Sequence, residues 1–163
     1  MIKPFESMQV KIRPAEPTDV KAILALIHEL ALFEKAPEQV INSEDQLLKD
    51  GFGPAALYTC FVAELNAEVV GISFCYVRYS TWKGACLYVE DLIVTKQHRG
   101  KGIGKQLLSY TIEFAQQNGY QRLQWQVLDW NTPAIDFYKQ FVANEDMGFG
   151  ESAKYSFEDN LFF

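Results

Sequence analysis

The first part of the chain carries apolar runs that are rich in β-branched and aromatic residues. Such runs predict strands, which we place at residues 10–14, 57–65, 68–79 and 85–94. Only residues 66–67 (Asn-Ala) separate the second run from the third, so we expect a hairpin there. Residues 81–84 then turn the chain into the fourth strand.

Helical spacing replaces these runs in two stretches before residue 57. After Thr18, a candidate N-cap, apolar residues recur three or four positions apart and predict an amphipathic helix to about Glu34. Ser43, with Gln46 three positions later, resembles a capping box. It predicts a short second helix to about residue 50 that Gly51 closes.

The second half of the chain alternates helix and strand. We predict a helix from Ile103 to just before Gly119, followed by a strand at residues 122–128. Asn131 is expected to cap a further helix, and residues 144–163 are expected to hold a hairpin. This order predicts an α/β fold, α+β in some schemes, in which helices cover a mixed sheet with one parallel, right-handed crossover.

Composition limits the domain organisation and the partners. At 163 residues, 48% of them hydrophobic, the chain is long enough for one substantial core and too short for two ordinary domains. We therefore expect one domain at residues 10–163 after an extension at residues 1–9, with Met8 as an alternative start. The net charge of −6 without a basic stripe argues against nucleic acid as a partner and favours a cationic substrate.

Cysteine and histidine usage argues against disulfide and metal chemistry. The three cysteines lie in apolar runs without Cys-x-x-Cys spacing, so we expect reduced thiols in the core. Histidine occurs only at His28 and His98, which excludes a multi-histidine site, and no catalytic metal is expected. No run approaches the ~18 apolar residues of a membrane span, and residues 1–8 lack a signal-peptide core. A cytoplasmic location without membrane contact is therefore expected.

Residues 99–104 (Arg-Gly-Lys-Gly-Ile-Gly), the glycine loop, are the strongest candidate for chemistry because they join a predicted strand to a predicted helix. Glycines allow a tight turn with converging N–H groups, and a helix N-terminus favours an anion such as pyrophosphate. Arg99 and Lys105 add positive charge. The spacing fits neither a Walker A loop nor a Rossmann Gly-x-Gly-x-x-Gly loop. A plain connection between strand and helix is the alternative.

A carboxylate interrupts the fourth predicted strand. Glu90 lies between Tyr88 and Leu92 on one face of a strand that is apolar on both faces, where an unpaired carboxylate costs several kcal/mol. The functional interpretation is that Glu90 recognises or deprotonates a substrate ammonium, directly or through water. The structural alternative is pairing with a buried arginine or with backbone donors. Asp91 points to the opposite face and is expected to be structural.

Several segments carry a resemblance to a known family. They are the glycine loop and residues 12–15 with Asp19, 29–35, 79–84 and 127–131. Together they resemble the GCN5-related N-acetyltransferases (GNAT), and within these the spermidine/spermine N1-acetyltransferase-like group. Residues 33–35 and 80–84 are most similar to its thialysine Nε-acetyltransferase branch. The resemblance spans about residues 10–145 and implies a single-domain GNAT fold with a mixed, mostly antiparallel sheet.

The resemblance implies acetyl-CoA as cosubstrate. In the family, strand backbone pairs with the pantetheine arm, the glycine loop holds the pyrophosphate, and the start of the following helix segment contacts the cosubstrate. Carried over to this sequence, the contacts are Leu92, Ile93, Val94, Arg99, Gly100, Lys101, Gly102, Ile103, Gly104, Lys105, Asn131, Thr132, Pro133, Ala134 and Tyr138. Backbone N–H groups of the strand would polarise the acetyl carbonyl.

The resemblance also assigns the chemistry and the substrate contacts. Tyr138 matches the family's general acid, which protonates the departing CoA sulfur, whereas without the resemblance it is typical of packing on an amphipathic helix. The matching substrate contacts are Phe33, Glu34, Ser80, Thr81 and Glu90. Ser80 and Thr81 stand where the polyamine branch carries an acidic residue, which favours a small primary amine or a lysine-like amino acid. Both are alternatively plain turn residues.

The implied function is direct acetyl transfer to the primary amine of a small molecule (thialysine or another lysine-like amino acid, a diamine or a polyamine), without an acyl-enzyme, by a homodimer. A protein or peptide N-acetyltransferase and a non-catalytic CoA-binding regulatory module are the alternatives. Val142 departs from the family, which usually has glycine four residues after the tyrosine. Because a β-branched residue disfavours left-handed backbone, the last helix must end differently. Residues after Asn144 match poorly.

Overall fold

The protein is described by a computed structural model that covers residues 9–144, 154–156 and 160–162. The helices are α1 (Val20–Phe33), α2 (Glu44–Phe52), α3 (Ile103–Gln117) and α4 (Thr132–Asn144). The strands are β1 (Lys11–Pro14), β2 (Thr59–Leu65), β3 (Glu68–Ser80), β4 (Gly84–Val94), β5 (Leu123–Trp125), β6 (Lys154–Ser156) and β7 (Asn160–Phe162). Short 3-10 turns lie at Pro17–Asp19, Pro37–Gln39 and Lys96–His98. Of the predicted N-terminal extension, only Gln9 is among the described residues.

The strands join into one sheet in the order β1-β2-β3-β4-β5-β7-β6. β1 and β2 are antiparallel, as are β5 with β7 and β6 with β7, whereas β4 and β5 are parallel. Parallel neighbours need a crossover connection, and the chain between β4 and β5 contains α3. The predicted α/β fold with a mixed sheet is confirmed, and so is the C-terminal hairpin for β6 and β7.

Two local signals predicted their structures correctly. Asn66 and Ala67 have φ values of 52° and 63°, the left-handed pair that a two-residue hairpin turn needs between β2 and β3. The Ser43 hydroxyl accepts a hydrogen bond from the backbone N–H of Gln46 at 3.1 Å, which starts α2. Both structures are specified by residues adjacent in sequence.

The predicted start of α1 is wrong. Thr18 lies within the 3-10 turn, and Asp19 is the N-cap of the helix. The Asp19 carboxylate accepts hydrogen bonds from the Glu16 backbone N–H at 2.7 Å and from Arg13 Nη1 at 2.7 Å. The charged partner of Asp19 on β1 therefore determines where α1 starts. The capping preferences of the nearby residues do not by themselves indicate this start.

The predicted end of α2 and the length of β5 also differ. α2 continues through Gly51 to Phe52, and Gly53 is its C-cap. A Cβ at position 51 would clash with the Tyr58 ring, so glycine permits a close approach of helix and ring and does not end the helix. β5 covers three residues of the predicted strand at 122–128.

Two compact units divide the chain. The first unit comprises residues 1–74 and 91–108, and the second comprises residues 75–90 and 109–163. The first unit buries Val20, Ile23, Leu26, Leu47, Cys60, Val62, Ile72 and Ile93 as one cluster. In the second unit the buried residues include Cys75, Cys86, Leu87, Val89, Ile112, Leu123, Trp125, Tyr138 and Phe141. The three cysteines form no disulfide and are buried, as predicted.

Candidate active site

The glycine loop of the first unit follows directly on β4 and its 3-10 turn. Gly100 and Gly102 have φ values of 74° and 77°, which glycine adopts without strain. Among the described residues, apart from the glycine itself and its two chain neighbours, no heavy atom lies within 4 Å of a Cβ built on either. The first turn of α3 begins at Ile103 and leaves N–H groups without an acceptor inside the helix. The loop therefore presents open backbone and a positive helix terminus, which suits an anionic ligand.

Arg99 is oriented by three neighbours within the first unit. Its Nε donates to the Val94 carbonyl at 2.7 Å, and its Nη2 lies 3.4 Å from Glu29 Oε1. The guanidinium carbon is 5.8 Å from the centroid of the Phe33 ring, within cation–π range. Because the Arg99 side chain is still 43% exposed, it is both oriented and accessible to a ligand.

β4 extends past the end of its ladder with β5. In the described part of the chain that ladder ends at the pair Val89 and Trp125, whereas β4 continues to Val94. The backbone of Leu92, Ile93 and Val94 is thus not paired with β5. An extended chain such as a pantetheine arm can pair with strand backbone of this kind.

The end of α1 carries two of the predicted substrate contacts. Phe33 is its last residue and is 40% exposed, and Glu34 is its C-cap. Lys35 follows with φ 60°, a left-handed value that is uncommon for a residue other than glycine. Burial raises the pKa of the Glu34 carboxyl above its usual value. A nearby cation would favour the ionised form of this carboxyl.

In the second unit, Tyr138 lies in an aromatic cluster. Its ring stacks on Trp125 with centroids 4.7 Å apart, and Phe137 makes an edge contact at 5.2 Å. Tyr138 is buried, with 7% of its surface exposed. Tyr138 lies on α4, which Asn131 caps as predicted. The Oδ1 of Asn131 accepts a hydrogen bond from the Ala134 N–H at 3.3 Å. α4 continues through Val142, so the helix does not end at that position.

The predicted burial of Glu90 is wrong. Residues 86–89 of β4 are buried, but Glu90, the next residue, is exposed. The alternative in which a buried arginine pairs with Glu90 therefore loses its basis. Burial raises the pKa of the Tyr88 hydroxyl, and the negative charge of Glu90 raises it further. The exposed Glu90 side chain is accessible to water.

Ser80 and Thr81 lie at the turn between β3 and β4. The Ser80 hydroxyl accepts hydrogen bonds from the backbone N–H groups of Trp82 at 3.3 Å and Lys83 at 3.2 Å. These bonds support the turn interpretation of Ser80. Thr81 is exposed at the same turn.

The two units divide the predicted site residues between them. The first holds Phe33, Glu34, Leu92, Ile93, Val94 and residues 99–105, and the second holds Ser80, Thr81, Glu90, residues 131–134 and Tyr138. Sequence reasoning gave no role to Glu29, which contacts Arg99, or to Trp125, which stacks on Tyr138. The available signal for Glu29 is its position four residues before Phe33, on the same face of α1.

Two other kinds of feature are absent from the described residues. No group of three or more histidine, cysteine, aspartate or glutamate side chains is arranged there to hold a metal ion. None of the helices described is both long and apolar enough to span a membrane.

Comparisons with known proteins extend these observations. A model of the acetyltransferase (GNAT) family matches residues 23–141. A thialysine N-epsilon-acetyltransferase of Bos taurus is 42% identical over 144 residues, which cover 83% of this chain and 85% of that protein. A spermidine/spermine N(1)-acetyltransferase-like protein 1 of Homo sapiens is 35% identical over 135 residues, 78% of this chain and 19% of that protein.

A solved aminoglycoside acetyltransferase from an uncultured soil metagenomic sample supports the fold. Its TM-score is 0.70 at 23% identity, over 90% of this chain and 95% of that chain. The family match covers the glycine loop, β4, β5 and most of α4, so the predicted resemblance is confirmed. The chain belongs to the acetyltransferase (GNAT) family and is an N-acetyltransferase.

Proposed function

We propose that this enzyme transfers the acetyl group of acetyl-CoA directly to the primary amine of a small molecule, with thialysine and lysine-like amino acids ahead of diamines and polyamines. The observation that carries the proposal is the open glycine loop after β4, with Arg99 oriented beside it. The similarity to a protein named thialysine N-epsilon-acetyltransferase supports the substrate class.

Anchoring of the cosubstrate is assigned to the first unit. The N–H groups of residues 100–104 and the Arg99 guanidinium would bind the pyrophosphate, with Lys101 and Lys105 adding positive charge. The backbone of Leu92, Ile93 and Val94, which is not paired with β5, would hold the pantetheine arm and polarise the acetyl carbonyl. In the second unit, residues 131–134 are assigned a further contact at the start of α4.

The chemical step needs a base for the amine and an acid for the sulfur. Glu90 is assigned to the base, and because its side chain is exposed, a water molecule is the expected relay for the ammonium proton. The neutral nitrogen attacks the thioester carbon and the new N–C bond forms. The nitrogen then gives its second proton to water as the C–S bond breaks, which leaves the neutral amide. Tyr138 is assigned to protonate the departing sulfur and is then reprotonated from water.

Substrate choice is assigned to Phe33, Glu34, Ser80, Thr81 and Glu90. Glu34 supports a cationic substrate, because a carboxyl whose pKa is raised by burial is stabilised in its ionised form by an ammonium group. Ser80 already uses its hydroxyl in the turn, so we assign it to shaping the contact at Thr81.

A substrate panel tests the proposal. Thialysine, lysine, ornithine, putrescine, spermidine and an N-terminal peptide are each mixed with enzyme and acetyl-CoA, and thiol release is measured. We expect the largest kcat/KM for thialysine or lysine. Preference for the peptide would support a protein acetyltransferase, and CoA binding without transfer to any acceptor would support the regulatory module.

Two further elements of the proposal have separate tests. Direct transfer predicts no acetylated protein when the enzyme meets acetyl-CoA alone, and intact-protein mass spectrometry detects such a product, with Cys86 the first candidate for acylation. A cytoplasmic homodimer is also proposed. Light scattering of the purified protein measures the mass, and a monomer would contradict the dimer.

A further inference from the structure

The Glu29 carboxylate joins α1 to the segment that leads into the glycine loop. Glu29 Oε2 accepts from the Thr95 hydroxyl at 2.8 Å, and Oε1 accepts from the Lys96 backbone N–H at 2.8 Å. Glu29 Oε1 also lies 3.4 Å from Arg99 Nη2. One side chain on a helix thus contacts Thr95 and Lys96, which follow the end of β4, and Arg99, the first residue of the glycine loop.

The segment between the end of β4 and the glycine loop, residues 95–98, is also hydrogen-bonded to the sheet. Glu29 therefore acts on a segment that is fixed at one end. The Thr95 backbone N–H donates to the Val70 carbonyl at 2.9 Å, next to the bond from Arg99 Nε to Val94. Past Thr95, the chain turns through Lys96–His98 to reach the loop. The hydrogen bond to the Lys96 N–H restrains the start of that turn.

Glu29 and Phe33 act on Arg99 from the same helix. They are four residues apart on α1, so their side chains lie on one face of it. Glu29 supplies a charge-assisted hydrogen bond, and the Phe33 ring faces the guanidinium at 5.8 Å. A guanidinium has five N–H donors, and the bonds from Nε and Nη2 leave Nη1 for an anion.

We propose that Glu29 is a positioning residue for the cosubstrate: it orients Arg99 and the loop junction for binding the pyrophosphate of acetyl-CoA, with Phe33 as the platform under the guanidinium. The proposal rests on acetyl-CoA being the donor. It gives Phe33 a second task beside its assigned contact with the amine. Glu29 itself bears a negative charge and does not contact the anion; it acts through Thr95, Lys96 and Arg99.

The test measures CoA binding by titration calorimetry, so it does not depend on turnover. The variants are Glu29→Ala, Glu29→Gln, Arg99→Ala and the double variant Glu29→Ala/Arg99→Ala, with Glu113→Ala as control. Glu113 is an exposed glutamate on α3 without an assigned role, so it matches the substitution in size and in loss of charge. Thermal unfolding of each variant shows whether the fold is retained.

We expect Glu29→Ala to raise the Kd for CoA about tenfold, the size of one hydrogen bond to a charged group. Glu29→Gln, which keeps one acceptor oxygen, should raise it about threefold. If Glu29 acts through Arg99, the double variant binds CoA about as weakly as Arg99→Ala alone. In steady-state kinetics, Glu29→Ala raises KM for acetyl-CoA while kcat at saturation changes little.

The possible failures are distinguishable. An unchanged Kd in Glu29→Ala, or fully additive effects in the double variant, would overturn the role of Glu29 while leaving the proposed reaction intact. CoA binding that weakens as expected, in an enzyme that acetylates no amine of the panel, would overturn the proposed function and support the role of Glu29. A wild-type protein that does not bind CoA would overturn both.

Discussion

Arg99 and Tyr138 are held by different kinds of interaction, each within its own unit. Directional hydrogen bonds of 2.7 and 3.4 Å orient Arg99, which remains 43% exposed. Stacking on Trp125 holds Tyr138, which is 7% exposed. The contrast matches the proposed tasks, since a group that binds an incoming anion must be accessible, whereas a proton donor must be aimed. Substitutions near Arg99 should therefore alter binding, and those near Tyr138 should alter turnover.

Removing the Tyr138 hydroxyl is the strongest test of this contrast. Tyr138→Phe keeps the ring that stacks on Trp125 and deletes the proposed acid, so we expect kcat to fall about 10²–10³-fold. The Kd for CoA should change less than about twofold. Steady-state kinetics and calorimetry measure the two effects.

Tyr120→Phe is the matched control, because Tyr120 is a partly buried tyrosine without an assigned role that packs against Phe114. Its kcat should stay at the wild-type value. If Tyr138→Phe retained wild-type turnover, Tyr138 would be a packing residue, as its helix position alone indicates.

Replacing Trp125 by a smaller side chain tests whether stacking on the Trp125 ring orients the Tyr138 side chain. Trp125→Leu removes the ring at 4.7 Å, and we expect a loss of about 2–4 kcal/mol in the free energy of unfolding. A misdirected Tyr138 should also lower kcat about tenfold, with the Kd for CoA retained. Denaturant unfolding and kinetics on the same samples give both numbers.

Phe61→Leu provides the comparison, because Phe61 is a fully buried aromatic residue on β2 in the other unit. It should lower stability by about 1–3 kcal/mol and leave kcat unchanged. If both variants lost turnover in proportion to stability, the stack would have no particular role in aiming Tyr138.

The parts that were predicted from sequence depend on neighbouring residues, and the parts that were not depend on distant ones. The Asn66-Ala67 turn and the Asn131 cap are side-chain and backbone preferences of a few residues, and both are present. The start of α1 was mispredicted because Arg13, on β1, hydrogen-bonds the Asp19 carboxylate. Pairing across the sheet is not encoded in a local pattern.

The same distinction applies to the candidate site. The glycine spacing predicted a tight turn, and Gly100 and Gly102 have the positive φ values that glycine adopts in such turns. The exposure of Glu90 was mispredicted because the apolar residues around it in the sequence do not show which parts of the fold cover that position. The partner of Tyr138 comes from another element, so a periodic pattern on α4 cannot indicate Trp125.

Gly102→Ala tests whether CoA binding by the glycine loop depends on the backbone geometry of the loop. A side chain at φ 77° is strained even where space is open, so we expect the free energy of unfolding to fall by about 1–2 kcal/mol. A loop that shifts to relieve the strain should bind CoA about threefold to tenfold more weakly. Urea unfolding and calorimetry check the two effects.

Lys35→Gly is the control with the opposite sign. Lys35 already occupies φ 60°, so glycine should relieve strain and raise the free energy of unfolding by about 0.5 kcal/mol. If both substitutions shifted stability in the same direction, left-handed strain would not explain either one.

The smallest expected effect concerns Glu34, the C-cap residue of α1. Burial raises the pKa of its carboxyl. A raised pKa in the folded state means that the folded protein binds more protons than the unfolded chain over the range from about 4.3, the ordinary glutamate value, up to the folded value. Its contribution to stability is therefore fully present below that range and is lost as the pH rises through it. Glu34→Gln removes this dependence, so the variant should gain stability relative to wild type between pH 4 and pH 7. A difference between Glu34→Gln and wild type that is the same at pH 4 and at pH 7 would show that the carboxyl is as well hydrated in the fold as in the unfolded chain.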